Sequence, residues 1–261
     1  MSKLSGKRSL ITGSGTGIGR EVALEFAREG AIVVFHYSTS GDGAHSAADE
    51  CKKIGAQAFV FQADLGKVED CFSLVDQSIE ALGGLDILVN NAGITHKCDF
   101  LEATPDDFDR IYAVNMRAQY FCAQRAARQM LNQGSGVLLN MTSVHAFTAM
   151  PMHSIYAGTK GAICAWTREL AIELAPKIRV NAIAPGWIEV PRHHETPGYD
   201  PNHARTQVPM GRVGTPLEVA RACVYMASDD AAYMTGHVLL LDGGTTAWMS
   251  LAAARSSTSH R

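Results

Sequence analysis

"TGSGTGIGREVALEFAREG" occupies residues 12–30, and how it is read decides the fold. It follows a short apolar run, "SLITG" (9–13), and places Gly13, Gly15, Gly17 and Gly19 just ahead of a helical pattern carried by Val22, Leu24, Phe26 and Ala27. Strand, glycine turn and helix in that order open a βαβ unit. Glycine permits a tight turn and lets backbone N–H groups approach a pyrophosphate, which the positive end of the following helix favours. The spacing is TGxxxGxG rather than GxGxxG, and a strand-to-helix turn also uses glycine simply to pack closely. Its place at the head of an alternating series favours nucleotide binding through Gly13, Thr16, Gly17, Ile18 and Gly19.

That series runs the length of the chain. "AIVVFHY" (31–37), "QAFVFQAD" (57–64), "LDILVNNAG" (85–93), "GVLLNMTS" (136–143), "IRVNAIAPG" (178–186) and "HVLLLDGG" (237–244) read as six further strands. Between them apolar residues recur at helical spacing, as in Phe72, Val75, Ile79 and Leu82, or Ile163, Trp166, Leu170 and Leu174. Parallel strands need crossovers, almost always right-handed. The expected fold is therefore α/β, a Rossmann-like doubly wound parallel sheet of seven strands flanked by helices, in a single domain over 1–261. Two segments stand apart, a polar insertion at 187–214 and a tail at 249–261 expected to be flexible.

Composition narrows the function. Lys plus Arg number 23 against 26 Asp plus Glu, a formal charge of −3, with no basic run to follow nucleic acid phosphates or an anionic membrane. Cys51, Cys71, Cys98, Cys122, Cys164 and Cys223 are scattered without CxxC pairs or zinc spacing, as suits a reducing compartment. The start "MSKLSGKRSLITG" has no signal-peptide pattern, and no apolar run approaches the ~20 residues of a membrane span. These features predict a cytoplasmic protein without a nucleic acid or membrane partner. Adjacent His193 and His194 lack a third ligand, so no metal is expected.

At 154–162 the chain reads "SIYAGTKGA", with Tyr156 and Lys160 one helical turn apart. Side chains at that spacing share a face, with Cβ atoms about 5–6 Å apart. A free phenol titrates near 10 and is almost unionised at neutrality. A fixed ammonium nearby, joined by an oxidised nicotinamide, has the right sign to make it a usable acid or base. Such a pair also occurs as an ordinary surface pair, and it is the company of the glycine turn that favours chemistry.

Together these motifs resemble the short-chain dehydrogenase/reductase family, from Leu4 to Gly244. The resemblance rests on TGxxxGIG (12–19), "DL" (64–65), "NNAG" (90–93), Asn115, Ser143, YxxxK (156–160) and "PG" (185–186). It implies a catalytic group of Asn115, Ser143, Tyr156 and Lys160, with Ser143 holding the substrate oxygen and Asn115 interrupting its helix to position Lys160 through water. It also implies that Asp64 and Leu65 bound the adenine, that Asn91, Ala92 and Gly93 line the nucleotide, and that Pro185, Gly186 and Ile188 meet the nicotinamide. Val190 stands where the family often has Thr. Lys160 and Tyr156 would also touch the cofactor ribose, and family analogy makes the chain a homotetramer through the helices at 107–133 and 155–175.

Cofactor choice turns on the end of the second strand. An NAD-binding chain usually carries an acid there, but this one reads "FHYSTS", with Ser38 at the expected position and Asp42 beyond it. NADP, or dual use of NADP and NAD, follows from the absent carboxylate. Substrate choice should lie in "SVHAFTAMPMHSIY" (143–156) and in the insertion. Ser143-Val144-His145 resembles bacterial glucose 1-dehydrogenases, and Glu189, Arg192, His193, His194, Glu195 and Tyr199 would suit a polyhydroxylated ligand. The first expectation is oxidation of a sugar or polyol hydroxyl, the anomeric carbon of an aldose among the candidates, with Ser143, His145, Tyr156 and Trp187 against the substrate. Alternatives are reduction of a 3-oxoacyl or other ketone, for which Arg125 and Arg128 would have to dock an acidic carrier, and a non-catalytic dinucleotide-binding scaffold.

Overall fold

The computed structural model describes residues 2–196 and 198–248; the tail expected at 249–261 lies outside the described residues. All seven expected strands form: β1 (Arg8–Ile11), β2 (Ile32–Tyr37), β3 (Ala58–Gln62), β4 (Ile87–Asn90), β5 (Gly136–Met141), β6 (Ile178–Pro185) and β7 (Val238–Leu241). They pair in parallel in the order β3-β2-β1-β4-β5-β6-β7. Most stop short of the apolar runs that announced them, because the last residues of each run turn outward into the site. Thus β1 ends at Ile11, and Gly13 beyond it takes φ +65°, a conformation glycine adopts without penalty.

Strands covered on both faces carry continuous rather than alternating apolar residues, and the burial of all four residues of β4 fits that rule. On one face α1 (Gly17–Arg28), α2 (Gly41–Lys53) and α9 (Pro216–Ala227) close over Phe26, Phe35 and Val219. On the other, α3 (Val68–Leu82), α5 (Ala118–Gln133) and α6 (Ser154–Leu174) pack Leu74, Met130 and Ile163 against Leu88 and Leu138. Each of these fully buried side chains contributes about 1.5–3 kcal/mol. The chain order reverses between β1 and β4, and a doubly wound sheet opens its ligand crevice at the carboxyl ends of the strands flanking that reversal.

Two expected elements differ in detail. The helix read at 107–133 is divided into α4 (Pro105–Tyr112), a π-helical turn (Ala113–Arg117) and α5, so Asn115 does interrupt it. A Thr104/Asp107 capping box starts α4. The insertion is not simply a polar loop: α7 (Pro191–His194) and α8 (Pro201–Thr206) enclose a small core of Ala204, Val208 and Val213, with Trp187 and Tyr199 packed against it. Among the described residues no helix is long and apolar enough to cross a membrane, and no cluster of potential metal ligands is present.

Candidate active site

The glycine turn is locked from two sides. Thr12 Oγ1 accepts the N–H groups of Asn91 and Ala92, each at 3.0 Å, while Asn91 Nδ2 donates to the carbonyls of Thr12 and Gly13. From β2, buried His36 accepts the Gly13 N–H at Nδ1 (2.9 Å), and its Nε2 meets the Ala63 carbonyl at 3.2 Å. That pairing fixes the neutral tautomer with its proton on Nε2, and burial pulls the imidazole down to about 4. His36 was legible only as the end of a strand; its spacing from Gly13 carries no motif.

Whether a dinucleotide fits is answered by the turn itself. A Cβ on Gly13 would lie 2.8 Å from Ala92 Cα, and one on Gly19 would lie 2.5 Å from the Gly13 carbonyl oxygen. Thr16, at the N-cap of α1, makes no side-chain cap and the first turn holds no acid, so its N–H groups remain available to an anion. Ile188 pairs with Gly214 in a bridge whose hydrogen bonds come from Trp187 and Glu189, leaving its own N–H and C=O for the opposite side. A cavity of about 430 Å³ at the far end is lined by Ser38, Gln62, Ala63, Asp64 and Asp70. Val190 lies over Gly17 from across the crevice. The residues suit a dinucleotide laid from Ser38 and Asp64 to Gly186 and Ile188.

Ser143, Tyr156 and Lys160 meet at the other end of this crevice. Ser143 Oγ accepts the N–H of His145 at 3.2 Å, capping a 3₁₀ turn, and therefore keeps its single hydrogen for another acceptor. The Lys160 ammonium lies 5.4 Å from the centre of the Tyr156 ring and donates to the Met141 carbonyl at 2.9 Å. Asn115 Oδ1 accepts the Ile94 N–H (2.7 Å), and its Nδ2 donates to the Ile94 carbonyl (2.8 Å).

The electrostatics depart from the expectation that Lys160 draws the phenol down. Burial raises Tyr156, and the opposing influences within the protein are the Ser143 hydroxyl, the charge of Arg192 and the Thr95 hydroxyl. Lys160 is itself pulled down to about 8 by complete burial. Its ammonium faces the ring and a carbonyl rather than the phenolic oxygen, which is why its effect is not the one that spacing suggested.

Around the mouth, the His145 ring stands edge-on to Tyr156 at 5.3 Å and 4.9 Å from the ring of His153. The Nδ1 atoms of His145 and His193 are buried without a partner. Phe147, Met150 and Met152, from the loop between Ser143 and Tyr156, are each about half exposed. Trp187 leans on Tyr199 and packs against the small core of the insertion. Sequence reasoning took Arg192 only as one polar group among several, although its charge is among those that oppose the raising of Tyr156.

Comparison with known proteins agrees with this geometry. A family model described as Enoyl-(Acyl carrier protein) reductase matches residues 13–246. The chain is 38% identical over 255 residues to Elsinochrome reductase 1 of Elsinoe fawcettii, covering 93% of this chain and 95% of that one. It is 35% identical over 257 residues to the Tetrahydroxynaphthalene reductase of Pyricularia oryzae, covering 93% and 90%. A short chain dehydrogenase from Burkholderia cenocepacia, solved in complex with NADP, superposes with a TM-score of 0.87 at 33% identity, covering 93% and 99%.

Proposed function

The chain belongs to the short-chain dehydrogenase/reductase family, and on that premise we propose that this NAD(P)-dependent oxidoreductase reduces the carbonyl of a bulky cyclic ketone, with Asn115, Ser143, Tyr156 and Lys160 as its catalytic group. The observation that carries the substrate class is the wall of the mouth, where Phe147, Met150 and Met152 are 50%, 50% and 51% exposed. Apolar ring surface laid there is stabilised by about 25 cal/mol per Å². A sugar finds few partners on that wall, and each polar group left unpaired costs about 1–3 kcal/mol. The two named relatives are reductases by name, and the second name, Tetrahydroxynaphthalene reductase, specifies a hydroxylated fused-ring compound.

Oxidation of a sugar or polyol stands second, favoured by the unpartnered nitrogens of His145 and His193. Those nitrogens suit hydroxyl groups on a ring ketone equally well, with Trp187 shaping the loop behind them. Docking of an acidic acyl carrier is weakened because Arg125 is already paired with Asp76 at 2.6 Å.

In this reading the turn at Gly13, Thr16, Gly17, Ile18 and Gly19 holds the pyrophosphate and Ser38 faces the adenosine ribose. When bound, the reduced nicotinamide supplies hydride to the carbonyl carbon. Ser143 donates its free hydrogen to the carbonyl oxygen, and Tyr156 delivers the proton that completes the alcohol. Solvent then reprotonates the phenolate. Lys160 holds the ribose and adds positive charge near the ring, and Asn115 keeps the Ile94 loop in place beside it. Exposed Tyr120, Leu131 and Ile172 on α5 and α6 support assembly as a homotetramer, and six unpaired cysteines suit the reducing cytoplasm.

The test follows NAD(P)H consumption with hydroxylated bicyclic ketones and an acetoacetyl thioester, and NAD(P)⁺ reduction with aldoses and polyols. Bicyclic ketones are expected to give the highest kcat/KM. Turnover confined to aldoses and polyols would reverse the ranking, and cofactor binding with no turnover at all would favour the scaffold.

A further inference from the structure

A lysine carries its charge at the end of a flexible four-carbon stem, so where the ammonium stands depends on how both ends of that stem are held. Consecutive residues at the end of β5 hold both ends of Lys160. At the head, its Nζ donates to the Met141 carbonyl at 2.9 Å, and Gln119 on α5 donates to the same oxygen at 3.4 Å. At the base, the hydroxyl of Thr142 donates to the Lys160 carbonyl at 2.8 Å.

Thr142 is buried, and the sheet fixes its backbone, where its N–H donates to the Ile183 carbonyl at 2.9 Å. Its single hydroxyl hydrogen goes to Lys160, so the Cys164 thiol 3.3 Å away is the donor of that second pair. The next residue in the chain is Ser143, and Tyr156 lies one turn before Lys160 on α6. The Thr142 bond therefore sets the helix that carries phenol and ammonium against the strand end that carries the serine. The ammonium so placed stands beside Gly93, where an added Cβ would come within 3.7 Å of it. Among the described residues it donates only to Met141, which leaves two of its three hydrogens for a ribose.

We propose that Thr142 is a positioning residue of the reaction: by holding the Lys160 peptide it sets the point from which the ammonium reaches the nicotinamide ribose and the face of the Tyr156 ring. This rests on Lys160 holding the ribose in the proposed reaction. A buried hydroxyl that merely ties the same helix to the same strand is also present, where Asn140 on β5 donates to Thr167 on α6 at 3.0 Å. Thr167 lies about two helical turns beyond Lys160. It therefore separates a general helix-to-strand tie from a bond that places the ammonium.

The experiment sets Thr142→Val, Thr142→Ser and Thr167→Val beside the parent protein, with Thr142→Ala in place of Val should Val not fold. NADPH Kd is read from fluorescence, kcat and KM from reduction of the bicyclic ketones, and Tm from circular dichroism. Thr142→Val should raise Kd and lower kcat, each by about tenfold, the scale of one hydrogen bond, while KM for the ketone stays within a few fold. Thr142→Ser should restore both, and Thr167→Val should lose a comparable Tm yet keep Kd and kcat within a few fold of the parent. Parent-like Kd and kcat in Thr142→Val, a Thr142→Ser protein that behaves like Val, or equal losses in Thr167→Val overturn the proposal. A Kd that moves as expected in a protein reducing none of the ketones would sustain the role of Thr142 while removing ketone reduction.

Discussion

Tyr156 is half-buried and Lys160 buried, each against its own preference, and both costs are visible. Replacing Tyr156 by Phe deletes one oxygen and leaves the ring against His145, so turnover should vanish while the cofactor Kd stays within a few fold. Kd from quenching of protein fluorescence, set beside steady-state rates, checks this; near-normal turnover would remove Tyr156 as the acid. Lys160 carries the opposite signature. Complete burial takes its ammonium from 10.5 to about 8. At pH 7 it is charged in both folded and unfolded chains, so the folded state bears a penalty of about 3 kcal/mol. That penalty fades as pH rises from about 8 to 10.5, where the folded protein has released the proton and the unfolded chain has not. Lys160→Met should therefore lower kcat and weaken cofactor binding yet raise Tm at pH 7, a trade of stability against activity. A Tm below the parent would mean that the bond to the Met141 carbonyl outweighs the burial of charge.

At the scale of elements, the seven strands were legible because each is an apolar run bounded by turn residues, and parallel pairing follows from the helices between them. The glycine turn, "NNAG" and the helical spacing of Tyr156 and Lys160 were legible for the same local reason. What could not be read depends on contacts between distant segments. Gly13 meets His36 across 23 residues, and Cys98 meets Met152 through a backbone whose φ no composition announces. The insertion read as polar because Trp187, Ala204, Val208 and Val213 are spread among charged neighbours, and only folding gathers them. Cofactor choice remains a local matter. Ser38 shares a cavity with Asp64 and Asp70, and no guanidinium or ammonium lines it. Ser38→Asp adds a carboxylate that repels a 2′-phosphate and accepts from ribose hydroxyls. The ratio of kcat/KM for NADP over NAD should fall by at least tenfold, and an unchanged ratio would show that the ribose lies elsewhere.

For the molecule as a whole, the crevice and the stability of the sheet share one imidazole. His36 belongs to β2, holds the turn after β1 through Gly13, and meets Ala63 after β3, so three neighbouring strands converge on a ring that must stay neutral. Protonation would place a second N–H against the Gly13 N–H, and both would then be donors. Burial brings the group from 6.5 down to about 4. The unfolded chain takes up the proton first as pH falls through 6.5, and the folded protein only near 4. Stability present above pH 6.5 is thus lost progressively between 6.5 and 4, by about 3 kcal/mol in all, and levels off below that window as far as this group is concerned. Urea midpoints measured from pH 7 to 4 on the parent and on His36→Asn separate this from the carboxylates. The variant should begin less stable, having lost the ring, but decline less steeply across the window. Parallel declines would assign the acid sensitivity to other groups and leave His36 as a neutral spacer behind the glycine turn.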